Sequence, residues 1–405
     1  MSSPLHPRLA AVLLLAVLPT PAPAAGTAYE LDRAGAFSVT TGHGFDFGTA
    51  PGAGAFYFSI TVPEGNWRVT VECGGPAAGD TTIKAESRRL MAEGLRTAPE
   101  ETVARSFLVN VRNAKLPPPP PNAPGGDTVL LTEREADSLT WDDKLTLEFG
   151  GPAPAVRTVA IEPAEVPTVF LLGDSTVTDQ RHEDGAGWGQ MLPRFFGPAI
   201  AVANHAESGE TLKSFVTGLR FAKVLSQLKA GDWVFLQFGH NDQKQNWPQT
   251  YAEAGTTYRA WLHVYIAEIR LRGATPVLVT SPQRRTFDAD GRIRNTHGGY
   301  PAAVRAVAAE AAVALIDLET ASRAFYEALG PARASLAFAD SGRDPAHHNN
   351  YGAYQLAQAV AQGIRDAGLP LAAHLCPDFA GYDPAAPDDP AAFNFAASPA
   401  HRRGN

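Results

Sequence analysis

From residue 168 to residue 367, short apolar runs alternate with longer amphipathic ones, and that alternation leaves few folds open. The runs at 168–172, 199–203, 232–238, 275–280 and 313–316 have the length and apolar content of strands. Between and after them, 188–196, 221–228, 251–272, 300–312, 318–329 and 351–367 read as helices. Apolar strands separated by helices predict a parallel sheet covered on both faces. Ligands bind such a sheet at the carboxyl ends of its strands. The first run ends there as Leu171-Leu172-Gly173-Asp174-Ser175-Thr176, which delivers the Ser175 hydroxyl to that edge.

Upstream the period changes. Phe56, Phe58, Ile60 and Val62 alternate with Tyr57, Ser59 and Thr61, and Leu145, Leu147 and Phe149 repeat the pattern. Period two over short runs predicts strands with one buried face, so 26–162 reads as a β-sandwich or jelly roll. The prolines at 117–121 exclude a central strand or helix and predict a stiff loop. A Pro- and Ala-rich connection leads into an α/β region at 166–375, and 376–405 reads as an extended tail.

Arg8, the apolar run 9–18 and Ala22-Pro23-Ala24 read as an export signal covering 1–24, too short to span a bilayer. The expected product is exported, periplasmic or extracellular. A net charge of −8 argues against nucleic acid or an anionic membrane as partner. The two cysteines, Cys73 and Cys376, lack metal-site spacing, and Cys73 falls on the buried side of a strand pattern, as a core thiol would.

A serine hydroxyl is inert without a base and without donors for the oxyanion it creates. Asp344-Pro345-Ala346-His347 supplies the base: three-residue spacing lets Asp344 meet the His347 Nδ1 and leaves Nε2 for Ser175. His348 competes, but adjacent residues point in different directions and the spacing favours His347. Gly209 and Asn241 each follow a strand run, and with the Ser175 backbone they offer three oxyanion donors. Arg284 and Arg285 follow another strand, either as a clamp for uronate carboxylates or as a solvated pair. Trp188 is a candidate wall for a small acyl pocket or a core residue. No metal ligand set or cofactor is called for.

These blocks, with Gly-Asp-Ser-Thr-Val-Thr-Asp at 173–179, Gly-Trp-Gly-Gln at 187–190 and Gly-His-Asn-Asp at 239–242, resemble the SGNH (GDSL-type) hydrolases, and among them the rhamnogalacturonan acetylesterases. The resemblance covers roughly 168–367. It implies a flavodoxin-like α/β/α domain and an esterase that removes acetyl groups from plant cell-wall pectin without a cofactor. The partner implied is an acetylated plant polysaccharide or oligosaccharide. The β-region departs from the simplest members; it either binds glycan or packs on the hydrolase. Competing expectations are an acetyl xylan esterase, a lipase or thioesterase on the same scaffold, or a glycan-binding protein with an inactive hydrolase domain. The polar loop 243–250 is not the apolar lid a lipase needs.

Overall fold

The computed structural model describes residues 26–52, 54–135 and 138–399. The export signal read at 1–24 lies outside them. Among the described residues, nine strands form the first half: β1 Thr27–Glu30, β2 His43–Asp46, β3 Phe56–Thr61, β4 Gly65–Gly74, β5 Gly79–Ala85, β6 Arg89–Thr97, β7 Thr102–Val111, β8 Lys144–Ala153 and β9 Val156–Pro163. They make two antiparallel sheets, ordered β1-β9-β4-β7 and β2-β3-β8-β5-β6. Phe56, Phe58 and Ile60 of one sheet share a single core with Trp67, Val69 and Val71 of the other. The alternation puts these residues on one face of each strand, so burying that face is what stacks the sheets.

The second half holds five parallel strands: β10 Thr168–Gly173, β11 Ala201–Asn204, β12 Trp233–Gln237, β13 Thr275–Val279 and β14 Ala314–Ile316. Their spatial order is β11-β10-β12-β13-β14, with β10 inside the sheet. The helices are α1 Trp188–Met191, α2 Leu212–Thr217, α3 Arg220–Gln227, α4 Thr257–Leu271, α5 Tyr300–Glu310, α6 Leu318–Arg333 and α7 Asn350–Asp366. Along β10 the side chains part in turn: Val169 and Leu171 join the core under α1, α6 and α7, while Phe170 and Leu172 join the core under α2 to α5. Apolar residues on both faces are why this strand sits centrally. Leu90 of β6 enters the first of these cores, so the halves share apolar packing. Truncating it to Ala would cost about 2–5 kcal/mol.

Several expectations change. Residues 251–256 are not helical; α4 starts at Thr257, after a turn in which the Glu253 carbonyl accepts from the Thr256 and Tyr258 N–H groups. The residues read as one helix at 188–196 form α1 and then a tighter turn at Leu192–Phe195. Helix α2 has no counterpart in the sequence pattern; the Thr211 and Ser214 side chains cap it reciprocally. Tyr57 and Ser59 are buried although their face should meet solvent. Over Tyr57 the reason is the C-terminal segment, which crosses that face: Lys84 Nζ donates to the Ala396 carbonyl at 2.6 Å, and Tyr57 Oη to that of Pro399 at 3.3 Å. Ser59 pairs with Thr146 Oγ1 at 3.0 Å. The same segment packs Phe393 on Tyr351 and Tyr354 of α7, so it straps both halves. Cys73 and Cys376 are both free and buried. No helix among the described residues is long and apolar enough to cross a membrane.

Candidate active site

Ser175 sits on the turn that closes β10. The Asp174 carbonyl accepts from the Val177 and Thr178 N–H groups, and the Asp174 carboxylate accepts from the Thr176 N–H and Oγ1 at 3.0 and 2.9 Å. Burial pushes the Asp174 carboxyl upward, against those bonds. The turn leaves Ser175 partly exposed between buried neighbours.

Its hydroxyl meets the imidazole that the spacing selects. Ser175 Oγ lies 2.9 Å from His347 Nε2, and His347 Nδ1 lies 2.7 Å from Asp344 Oδ2. The other Asp344 oxygen accepts from the N–H groups of His347 and Ala346 at 2.9 and 2.7 Å. Burial alone would raise the Asp344 carboxyl; these N–H groups and the His347 ring outweigh it and hold the carboxyl low. An ionised Asp344 fixes the proton on Nδ1 and leaves Nε2 to accept from serine. His348 turns the other way. Its Nε2 is 2.6 Å from Tyr326 Oη, and burial, helped by the His347 charge, brings its pKa down to about 3. The loop ends where Asn349 caps α7. A Cβ on Gly352 would lie 2.0 Å from the Ala337 carbonyl oxygen, so only glycine lets α7 start here.

The expected donors lie on the loops that follow β10, β11 and β12. Glu207 N–H donates to the Gly173 carbonyl at 3.2 Å, and Asn241 Nδ2 donates to that of Glu210 at 3.1 Å, which ties the three loops together. Among the described residues, neither the Ser175 N–H nor the Gly209 N–H has an acceptor. The Asn241 amide keeps one N–H beyond its bond to Glu210. Gly209 has φ +85°, a conformation that favours glycine.

The three expected substrate contacts separate. Arg284 stays beside the site, half-buried, bonded to Thr296 Oγ1 at 3.1 Å and feeling the Asp174 charge. Arg285 is not available as half of a carboxylate clamp. Its Nη2 donates to the Gly342 carbonyl at 2.6 Å and its guanidinium lies over Phe338, so it pins the loop that carries Asp344. Trp188 does not wall a pocket: it is 1% exposed, and its indole N–H donates to Gln237 Oε1 at 2.7 Å. Gln237 in turn donates to Thr176 Oγ1 at 2.9 Å, so Trp188 supports the serine turn from below.

The support from the β-half is not legible in the chain's local pattern. Gln180 Nε2 donates to the Ser175 carbonyl at 2.8 Å. The Gln180 carbonyl accepts from Arg88, which also reaches the carbonyls of His182 and Gly185 at 2.9 and 2.8 Å. Arg89 pairs with Asp179 at 2.6 Å, and Arg112 donates to the Asn204 carbonyl. All three arginines are at most 2% exposed. The one available signal is the Ser87-Arg88-Arg89 run where the chain turns into β6, since two adjacent arginines do not follow from a strand pattern. A separate cleft of about 790 Å³ opens in the β-half, lined among others by Glu30, Gly74, Glu100 and Arg157, and holds none of these groups. No cluster of three or more metal-ligating side chains occurs among the described residues.

Residues 171–356 match the model of the GDSL-like lipase/acylhydrolase family. The rhamnogalacturonan acetylesterase RhgT of Bacillus subtilis is 40% identical over 220 residues, 51% of this chain and 93% of RhgT. The probable rhamnogalacturonan acetylesterase YesY of the same bacterium is 38% identical over 208 residues, 50% of this chain and 94% of YesY. The crystal structure of Bacillus subtilis YxiM matches with a TM-score of 0.49 at 24% identity, over 83% of this chain and 93% of that one. Identity of 38–40% over nearly the whole of RhgT and YesY means that the chain belongs to the GDSL-like lipase/acylhydrolase family and is a carboxylic ester hydrolase.

Proposed function

We propose that this protein is an exported serine carbohydrate esterase that removes O-acetyl groups from plant cell-wall polysaccharide, with acetylated rhamnogalacturonan as its main substrate. The observation that carries the reading is the line Ser175 Oγ, His347, Asp344, with spacings of 2.9 and 2.7 Å. Ser175 Oγ attacks the acetyl carbonyl as His347 Nε2 takes its proton. Asp344, held ionised, stabilises the imidazolium. The N–H groups of Ser175, Gly209 and Asn241 receive the oxyanion, each worth about 3–4 kcal/mol in the transition state. His347 then returns the proton to the departing sugar hydroxyl. Water, deprotonated by the same imidazole, releases acetate from the acyl-serine. Arg284 is the remaining candidate for a uronate contact.

We read the chain as an export signal at 1–24, a jelly-roll-like β-sandwich at 26–162, a flavodoxin-like hydrolase domain at 166–375 and a tail at 376–405. The buried arginines favour packing over glycan binding as the role of the β-half. The experiment is acetate release from a panel of acetylated pectins and xylans, with Ser175→Ala alongside. The substitution should lower release by several orders of magnitude. Undiminished release would end the proposal, and a preference for xylan would move the substrate.

A further inference from the structure

The donor side of the site contains a cation that comes from the β-half. Arg134 lies in the long connection between β7 and β8, outside the stretch matched by the family model. Its Nη2 donates to the carbonyl of Ser208, and its Nε pairs with Glu207 Oε1 at 3.2 Å. The same Glu207 oxygen accepts from the Ser208 N–H at 2.8 Å, so guanidinium, carboxylate and peptide close a ring. The short turn Glu133–Glu135 that carries Arg134 is itself anchored, because Glu135 pairs with the buried Arg220 at 2.5 Å. Arg220 also holds Glu210 at 3.0 Å, the residue whose carbonyl accepts from Asn241.

The Ser208 carbonyl and the Gly209 N–H belong to one planar peptide unit and point in opposite directions. A cation on the oxygen fixes the plane of that unit and draws electron density from its nitrogen, which makes the N–H a stronger donor. Glycine at φ +85° offers little resistance to rotation, so the plane needs an outside restraint. We propose that Arg134 is a positioning residue for the oxyanion hole: from the β-half it orients and polarises the Ser208–Gly209 peptide so that the Gly209 N–H faces the developing charge. The inference rests on the reading above that this N–H receives the oxyanion.

The test uses the full-length protein with 4-nitrophenyl acetate, which has no carboxylate for an arginine to recognise. Arg134→Met should lower kcat by about tenfold or more, short of the 10²–10³ lost with a whole donor. KM should stay within about twofold and the melting temperature within a few degrees. Arg134→Lys keeps the charge and one donor and should recover part of the rate. A wild-type kcat in Arg134→Met, or a loss that only tracks reduced stability, overturns the proposal. So does an effect confined to KM on acidic polysaccharide, which would make Arg134 a substrate contact instead. Ser175→Ala in the same assay separates the two failures. If it is inactive while Arg134→Met is normal, only the arginine's role falls; if it stays active, the oxyanion reading falls with it.

Discussion

The two sides of Ser175 are built differently. On the base side, Asp344 and His347 share one loop, and that loop is held by neighbours from the α/β half. The Ala339 N–H donates to the His347 carbonyl at 2.9 Å, the Arg285 N–H to that of Pro345 at 2.8 Å, and Asp184 receives the Asp340 and Ser341 N–H groups at 2.9 Å. On the other side, the turn after β10 and the loop after β11 are held by arginines 88, 89, 112 and 134, all from the β-half. The Asp344–His347 pair is therefore held mostly from within its own half, with Arg88 reaching only the Asn350 side chain beyond it at 2.9 Å, whereas the positions of the serine turn and the donors depend more heavily on a second set of sheets. Catalysis and support can fail separately, and substitutions can separate them.

The largest expected effect comes from Asp344→Asn. It should lower kcat by about 10³–10⁴-fold, because the imidazole loses the partner that fixes its tautomer. Since the loop has other bonds, the melting temperature should move little; a collapse in stability would show that the base side is not self-sufficient. Next comes Arg89→Met, which leaves Asp179 in the interior with the Asn204 amide, at 2.8 Å, as its one hydrogen-bond donor among the described residues. Breaking a buried pair from one end costs about 3–5 kcal/mol, readable by urea unfolding. If the variant is as stable as the parent, the β-half is a passenger. The matching change on the base side, Arg285→Met, removes one hydrogen bond and a cation–ring contact from a partly exposed group and should cost only about 1–2 kcal/mol.

The same contrast explains what the sequence discloses. Strand β10 is legible because Val169, Phe170, Leu171 and Leu172 are apolar in succession, as a strand buried on both faces must be. Asp344 and His347 are legible because three residues of chain suffice to bring them together. Arg89 and Asp179 lie 90 residues apart, and nothing in a strand pattern announces a buried arginine. Trp188 stays ambiguous until Gln237 is seen to take its N–H. The late start of α4 had a signal in Gly255, which the apolar periodicity on either side overrode. Tyr57 is hidden by Pro399, far beyond any local window.

The last effect is a slope, spread over several pH units. His348, next to His347, is held neutral with a pKa of about 3, mainly by burial. An unfolded chain has an ordinary imidazole near 6.5, so below that pH it takes a proton that the folded chain refuses. The stability His348 contributes is whole above pH ~6.5 and shrinks as the pH falls toward 3, by about 2 kcal/mol between pH 8 and pH 5. Asp242, on the donor side, carries the opposite sign. Burial raises its carboxyl to about 7, although the Leu212 and Gly239 N–H groups, at 2.9 Å each, favour the ionised form. Its contribution is whole below pH ~4, where the unfolded carboxyl is also protonated, and is lost as the pH rises from there through about 7. Urea unfolding at pH 5 and pH 8 should then show His348→Gln with a weaker acid loss than the parent, and Asp242→Asn with a weaker loss on the alkaline side. Identical slopes in both variants would mean that the two sides of the serine feel one electrostatic environment, and the division between them would be structural only.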